Sequence, residues 1–259
     1  METALRRVRD RVLVGARLRQ GMRVLDVGAG TGLLALDACR RVGASGSVLA
    51  LDVSHDALTA CLRTPRSDTP LHAVAAGATA LPLVDRCVDA VVVRSVLIYV
   101  VDKGRAASEF HRVLRPGGRV SIFEPINSQY QWYAGLDLSD LEPARSRVLD
   151  RWRSGADPGS AMTGFDERDL VAHFAEAGFQ SVELTYDITR RTAAARRADV
   201  AAYLTMRPNP NMTSYEEAAR DVLGAAADDH LTALATALTE RPSTSVQALA
   251  YLRARRARR

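Results

Sequence analysis

The chain reads as an α/β protein built on a mainly parallel sheet with helices on both faces. Three observations predict this. Short apolar runs alternate with segments of helical period over most of the length, the signature of strand–helix–strand units. Residues 88–94 form a Val-rich run without polar alternation, as suits a central strand buried on both faces. A glycine-rich turn follows the first apolar run, where such folds receive ligands at a helix N-terminus.

Element by element, residues 4–18 carry apolar side chains at helical spacing and predict a helix. Residues 23–27 predict a short buried strand, followed by the glycine turn and a helix over 32–42. Residues 47–52 are the second strand, with Ser54 as N-cap of a helix over 56–63. Residues 71–75 are a weak third strand and 88–94 the fourth. A helix over 103–114 should stop at Arg115-Pro116-Gly117-Gly118, which cannot continue it. The fifth strand spans 119–124. A helix over 165–177 has Asp166 as N-cap, Asp169 in its first turn and Gly178 as terminator. Residues 181–188 and 245–252 are the last two strands.

The domain organisation expected is one domain over 1–259. Its core covers about 5–124, 165–190 and 244–253, with cap insertions over about 125–164 and 192–243. The first insertion holds Tyr130, Trp132 and Tyr133, the densest aromatic cluster. The second holds Arg207-Pro208-Asn209-Pro210-Asn211. Irregular insertions of this length are usually functional or disordered, and both are read as covering a substrate.

With 259 residues, 47% hydrophobic and 25% charged, the chain can bury a core without staples. Cys39, Cys61 and Cys87 show no paired spacing, so packed thiols in a reducing compartment are expected and no metal site is. No run approaches a membrane span and the N-terminus lacks a signal-peptide pattern. Cytoplasmic residence and no membrane partner are therefore expected. The net charge of +5 raises a nucleic-acid reading, but Lys103 is the only lysine and the arginines are spread along the chain. The one basic cluster, Arg253 to Arg259, reads as a solvated, frayed tail. Monomer and homodimer both remain open.

The chemistry begins at Val24-Leu25-Asp26-Val27-Gly28-Ala29-Gly30-Thr31-Gly32. Dinucleotide enzymes use GxGxxG, which would need glycine where Leu33 stands. Asp26 also puts a carboxylate beside the turn. Facing a pyrophosphate it would be repelled by about 4 kcal/mol per unit pair at ~4 Å; facing an ammonium it attracts. A cofactor bearing a cationic amino acid is favoured. The strand Val48 to Asp52 ends in an acid some twenty residues later, the position that accepts ribose hydroxyls in nucleoside-binding folds.

These segments resemble the class I S-adenosylmethionine-dependent methyltransferases, in the methyltransferase-11 or menaquinone C-methylase-like branch. The resemblance covers about residues 5–190. It is carried by Val24 to Gly32, Leu51 to Ser54, Ala78-Thr79-Ala80-Leu81-Pro82, Asp89 to Tyr99, Arg112-Val113-Leu114-Arg115-Pro116-Gly117-Gly118 and Phe123-Glu124-Pro125-Ile126-Asn127. It implies a Rossmann-like seven-stranded sheet of order 3-2-1-4-5-7-6 with one antiparallel strand. It also implies S-adenosyl-L-methionine as cofactor and S-adenosyl-L-homocysteine as product. By that resemblance Asp26, Gly28, Ala29, Gly30 and Gly32 hold the methionine end, Asp52 the ribose, and Val53, Gly77 and Ala78 the adenine side. Arg94 and Ser95 lie beside the sulfonium. Relatives often carry an aspartate where Gly77 stands; losing that polar contact should weaken cofactor binding by about 1 kcal/mol. Relatives also usually carry an upstream lid segment.

Methyl transfer from a sulfonium mainly needs alignment and water exclusion, and positioning can supply roughly 7–11 kcal/mol. A general base is required only for a protonated acceptor. Tyr99 and Glu124 are the catalytic candidates, each set against a structural role; Asn127, Tyr130, Trp132 and Tyr133 are the substrate-binding ones. His111 reads as packing, and His55, His72, His173 and His230 carry no partner spacing. No Asp/Asn-Pro-Pro-Tyr, acidic cluster or loop cysteine follows the fourth strand, which argues against adenine amino methylation, metal-dependent catechol chemistry and pyrimidine C5 chemistry. The expected acceptor is a small molecule, of the secondary-metabolite kind. Two other readings stay open: a cofactor-binding protein with a non-methylating role such as a cyclase, and a nucleic-acid or protein methyltransferase.

Overall fold

The structure, a computed structural model, describes residues 2–64, 68–154, 161–207 and 212–258; of Glu2, Thr3, Trp132, Arg153 and Ser154 it describes the backbone only. Residues 208–211 of the second insertion lie outside the described residues. The chain divides into two compact units, Met1–Ser128 with Ala161–Asp187 and Ala248–Arg259, and Gln129–Ser160 with Ile188–Gln247.

In the first unit, β1 (Arg23–Val27) lies between β2 (Ser47–Asp52) and β4 (Val88–Arg94), parallel to both. β3 (Leu71–Ala75) extends the sheet beyond β2, and β5 (Leu114–Pro125) beyond β4. β8 (Ser243–Arg255) runs antiparallel to β5, and β7 (Gln180–Ala193) pairs β8. The order implied by the resemblance is found once a short strand absent from the sequence reading is counted. This strand, β6 (Gln131–Ala134), pairs the beginning of β8, so the described sheet has eight strands, seven of them in the order β3-β2-β1-β4-β5-β8-β6 and the eighth, β7, paired with β8 off that path.

Apolar residues on both faces of the central strands explain why their sequence lacks alternation. On one face Leu25, Val27, Val91, Val93 and Ile122 pack with Phe110 of α4 (Lys103–Val113) and Phe174 of α6 (Glu167–Glu176). On the other, Val24, Val48, Ala50, Ala90, Val92 and Phe123 pack with Val12 and Leu13 of α1 (Glu2–Gly15) and Ala38 and Cys39 of α2 (Ala35–Val42). α3 (His55–Arg63) adds Leu58 and Cys61. The expected caps form: Ser54 Oγ accepts from Ala57 N–H, and Asp166 and Asp169 make a reciprocal box at α6. His111 packs edge-on against Phe179, at 5.1 Å between centroids.

The second unit has its own core. α5 (Ala144–Ser154), α7 (Arg197–Thr205), α8 (Tyr215–Leu223) and α9 (Ala227–Glu240) bury Val148, Val200, Tyr215, Ala218, Leu234 and Leu238 together.

Four boundaries differ from expectation for local reasons. α1 stops at Gly15, where a Cβ would lie 2.4 Å from Ser121 Oγ, and Arg17 then turns with φ of 51°. α2 starts at Ala35 because Gly30 and Gly32 hold positive φ and delay the first helical residue. Arg115 to Gly118 does not separate helix from strand; it loops out of β5, whose pairing jumps from Leu114 opposite Val88 to Arg119 opposite Ala90. Lastly, the arginine tail is built into the fold. β8 reaches Arg255, Arg253 pairs with Glu183 at 2.5 Å, and Arg256 Nη1 donates to the carbonyls of His111, Arg112 and Leu114 at 2.6, 2.9 and 2.8 Å. Those carbonyls close α4, which a cation suits.

Replacing Arg256 by Ala should therefore cost about 2 kcal/mol, because three carbonyls lose a charged donor. Urea unfolding measures this, and a variant as stable as wild type would return the tail to a frayed state.

Candidate active site

The carboxyl ends of β1, β2, β4 and β5 bring the motif residues of the first unit to one edge of the sheet, the edge that receives ligands in open α/β folds. After β1, the amides of Gly28 and Ala29 both donate to Leu51 O at 2.7 and 2.9 Å, folding the turn back over β2. Gly28 must be glycine: its φ is 69°, and a Cβ would lie 2.1 Å from Val96 Cγ2. Gly30 combines a φ of 52° with open space in which no atom lies within 4 Å of a built Cβ. Gly32, with φ of 97°, is packed against Cys61 and Leu36.

Asp26 sits in β1, 1% exposed, and neither carboxylate oxygen has a hydrogen-bond partner among the described residues. Burial raises its pKa to about 8. The nearby Ala35 amide and the Arg94 charge oppose this, but the amide does not reach hydrogen-bond geometry. A buried carboxylate with no donor is costly unless a cation or a proton joins it. This orphaned acceptor beneath a glycine turn fits the ammonium of an amino-acid cofactor. Asp52, at the end of β2, ties two loops together. Its Oδ2 accepts from Gly30 N–H at 2.7 Å and its Oδ1 from Ser54 N–H at 2.9 Å, which leaves lone pairs on both oxygens. Next to it Val53 is 79% exposed, an apolar side chain open on the ligand-receiving edge. Ala76 N–H donates to Asp52 O, which brings Gly77 and the buried Ala78 beside the same strand end.

Beyond β4, Arg94 is half-buried with no carboxylate at ion-pair distance among the described residues. Ser95 holds φ of 54° and donates to Phe123 O, a left-handed conformation of the kind concentrated at functional sites. A short 3-10 turn, Leu97–Tyr99, follows, and Tyr99 is 51% exposed. Its pKa is raised by desolvation and by Glu124 against the Arg94 charge, which favours the neutral phenol. Asn127 is half-buried in a second 3-10 turn after β5.

Of the two roles set against each other for Glu124, the geometry matches the structural one. Glu124 is fully buried, and its carboxylate accepts from the amides of Val96, Leu97 and Ile98 at 2.9, 2.9 and 3.2 Å. It cannot touch an acceptor directly, and the catalytic assignment gives way to a scaffold role. The aromatic candidates fall in the second unit. Tyr133 packs at 5.3 Å against Tyr203, within a cluster that includes Trp152, Tyr215 and His230. Tyr130 is half-buried. Trp132 lies in β6, and its side chain is outside the described residues.

Two networks escaped the sequence reading. Arg112 donates to the carbonyls of Leu81 and Leu83 and to Glu109, while Glu109 accepts from Leu81 N–H. The Arg-Val-Leu-Arg-Pro-Gly-Gly motif thereby pins the Ala-Thr-Ala-Leu-Pro motif; the Glu at three residues before Arg112 was the visible signal. Lys103, 4% exposed, donates to Val100 O and Ala161 O and lies 4.4 Å from the Phe165 ring. A single lysine in an arginine-rich chain was its signal.

The fold is a Rossmann-like α/β sheet whose ligand-receiving edge carries a glycine turn over a buried carboxylate. The family model described as Methyltransferase domain matches residues 25–122. The ubiquinone/menaquinone biosynthesis C-methyltransferase UbiE of Escherichia coli is 32% identical over 190 residues, covering 70% of this chain and 74% of that protein. The chain belongs to the class I S-adenosylmethionine-dependent methyltransferases, and S-adenosylmethionine is its cofactor. Solved structures share the fold. A Bacillus halodurans protein assigned as a methyltransferase has a TM-score of 0.61 at 16% identity, covering 96% of this chain and 98% of its own. Phosphoethanolamine N-methyltransferase 2 of Haemonchus contortus, solved with phosphomonomethylethanolamine and S-adenosylhomocysteine, has a TM-score of 0.55 at 15% identity, covering 97% of this chain and 52% of its own.

The buried Asp26 carries a pH signature. An unfolded aspartate ionises near 3.8 and the folded one near 8, so between those values the folded state alone keeps the proton and stability falls as pH rises. Asp26→Asn should gain on wild type from about pH 5 to about pH 9, by on the order of 2 kcal/mol, in denaturant titrations of the free protein. A difference independent of pH would mean that the carboxylate is already ionised.

Proposed function

We propose that this methyltransferase acts on a small molecule whose nucleophilic atom carries no proton that the protein must remove. When bound, the cofactor supplies a methyl group already activated on a sulfonium. Asp26 would hold the ammonium, with Gly28, Ala29, Gly30 and Gly32 forming the turn that admits the methionine end. Asp52 would accept the ribose hydroxyls, and Val53, Gly77 and Ala78 would flank the base. Arg94 and Ser95 stand at the β4 end, where the reacting groups would meet, and Tyr99 and Asn127 offer polar contacts to an acceptor.

The observation that carries the acceptor reading is what happens to the two candidate bases. Glu124 is sealed away from an acceptor with three amides on it, and the raised pKa of Tyr99 favours its neutral phenol. Neither is therefore placed to take the acceptor's proton. Alignment is then the main contribution of the protein, worth roughly 7–11 kcal/mol when complete. An enolate, a phenolate or a free amine meets this requirement, and the UbiE relative is by its name a C-methyltransferase.

Isotopically labelled methyl transfer to a panel of free amines, phenols acidic enough to be ionised at the assay pH and 1,3-dicarbonyl compounds tests the acceptor class. Exclusive labelling of RNA or protein would overturn it. For the cofactor residues, Asp26→Ala and Gly30→Val should each abolish S-adenosylhomocysteine binding by calorimetry, and ordinary affinity in both would refute the assignment. Gly77→Asp should do the opposite. Position 77 has no heavy atom within 4 Å of a built Cβ and no left-handed φ, so the added carboxylate costs no strain and should tighten binding about fivefold through one polar contact.

A further inference from the structure

Glu124 spends a buried charge on three consecutive amides of the loop that leaves β4. Consecutive amides aimed at one carboxylate form an anion-binding nest, and here the anion is part of the chain. The charges that face it are Lys103 from α4, and beside it the titratable Tyr99 from the 3-10 turn. Lys103 grips the same loop from its far end, through Val100 O at 2.9 Å. The stretch so held carries Val96, whose Cγ2 occupies the space a Cβ on Gly28 would need, and Tyr99, half-exposed at the edge. A shift of the loop therefore moves the wall of the glycine turn and the acceptor-facing phenol together.

We propose that Glu124 is a positioning residue that sets the cofactor turn through Val96, so that affinity for the cofactor depends on the ionised carboxylate. The inference rests on the cofactor assignment of the previous section. A proton on Glu124 would turn one acceptor oxygen into a donor facing an N–H, and at least one of the three amides would lose its partner. Burial brings the carboxyl to about 7 from its ordinary 4.5, against the pull of the three amides and Lys103. The loop is thus held firmly above that pH and loosens below it.

The test is the S-adenosylhomocysteine affinity of wild type and Glu124→Gln across pH, by calorimetry. Asp26 also loses its charge as pH falls, so both proteins should weaken in acid; their ratio isolates Glu124. At about pH 8.5 Glu124→Gln should bind about tenfold more weakly, and by about pH 6 the two should converge, because wild type is then protonated at the same site. Glu124→Asp, which keeps the charge, should restore part of the pH dependence. A ratio that stays constant with pH, or equal affinities throughout, would overturn the proposal and leave Glu124 a purely structural group.

Should Glu124→Gln not fold, the unmodified protein still decides. Amide-exchange protection of Val96, Leu97 and Ile98 should drop below about pH 7 while that of β1 holds; parallel behaviour of the two refutes the inference. If wild type binds no S-adenosylhomocysteine at all, the cofactor assignment fails, and the exchange measurement still reports on the Glu124 loop.

Discussion

Removing carboxylates from water is expensive, and this fold does it twice under the ligand-receiving edge of one sheet. Asp26 and Glu124 end or nearly end their strands, and both are at least 99% covered by protein. They differ in what they are given. Glu124 receives three amides and lies near a lysine, so its desolvation is partly compensated and the loop above it is fixed. Asp26 receives nothing within hydrogen-bond reach among the described residues. One buried acid is satisfied by the fold and the other is not, which is the physical ground for reading the first as scaffold and proposing the second as a ligand contact.

Much of the remaining architecture serves to present that edge. The sheet can bury its central strands on both faces because helices cover both, and buried parallel strands leave their carboxyl-end loops as the places free to vary. Those loops are then tied pairwise. Asp52 binds the glycine turn to the start of α3, Arg112 and Glu109 bind the segment after β3 to α4, and Glu124 with Lys103 binds the segment after β4. Each tie joins segments that the family motifs treat as separate words. The motifs are better understood as the visible halves of charged contacts.

The sheet and the glycine turn were legible in the sequence because their causes are local. Val-rich runs report double burial, and glycines at 28, 30 and 32 report backbone that no side chain would permit. Ser54 and Asp166 announced their helices for the same reason. Glu124 stays undecided between substrate contact and structural hydrogen bond in the sequence, because a carboxylate at a strand end looks identical whether it faces solvent or three amides of a loop 26–28 residues away. The arginine tail was misjudged because its partners, the last carbonyls of α4, lie some 140 residues upstream and are backbone, which no side-chain pattern reveals. Tyr133 stood in an aromatic cluster in sequence, yet its partner Tyr203 comes from the other insertion.

The place of Lys103 has a chemical corollary. It is the only lysine, and it is sequestered with its ammonium on two carbonyls and an aromatic face. Every other basic side chain outside the histidines is a guanidinium, which neither acylates readily nor loses its proton in water. The exterior therefore offers no side-chain amine: acetylation, ubiquitin conjugation and amine-directed crosslinkers have no accessible lysine to reach, and the cationic character of the surface is permanent.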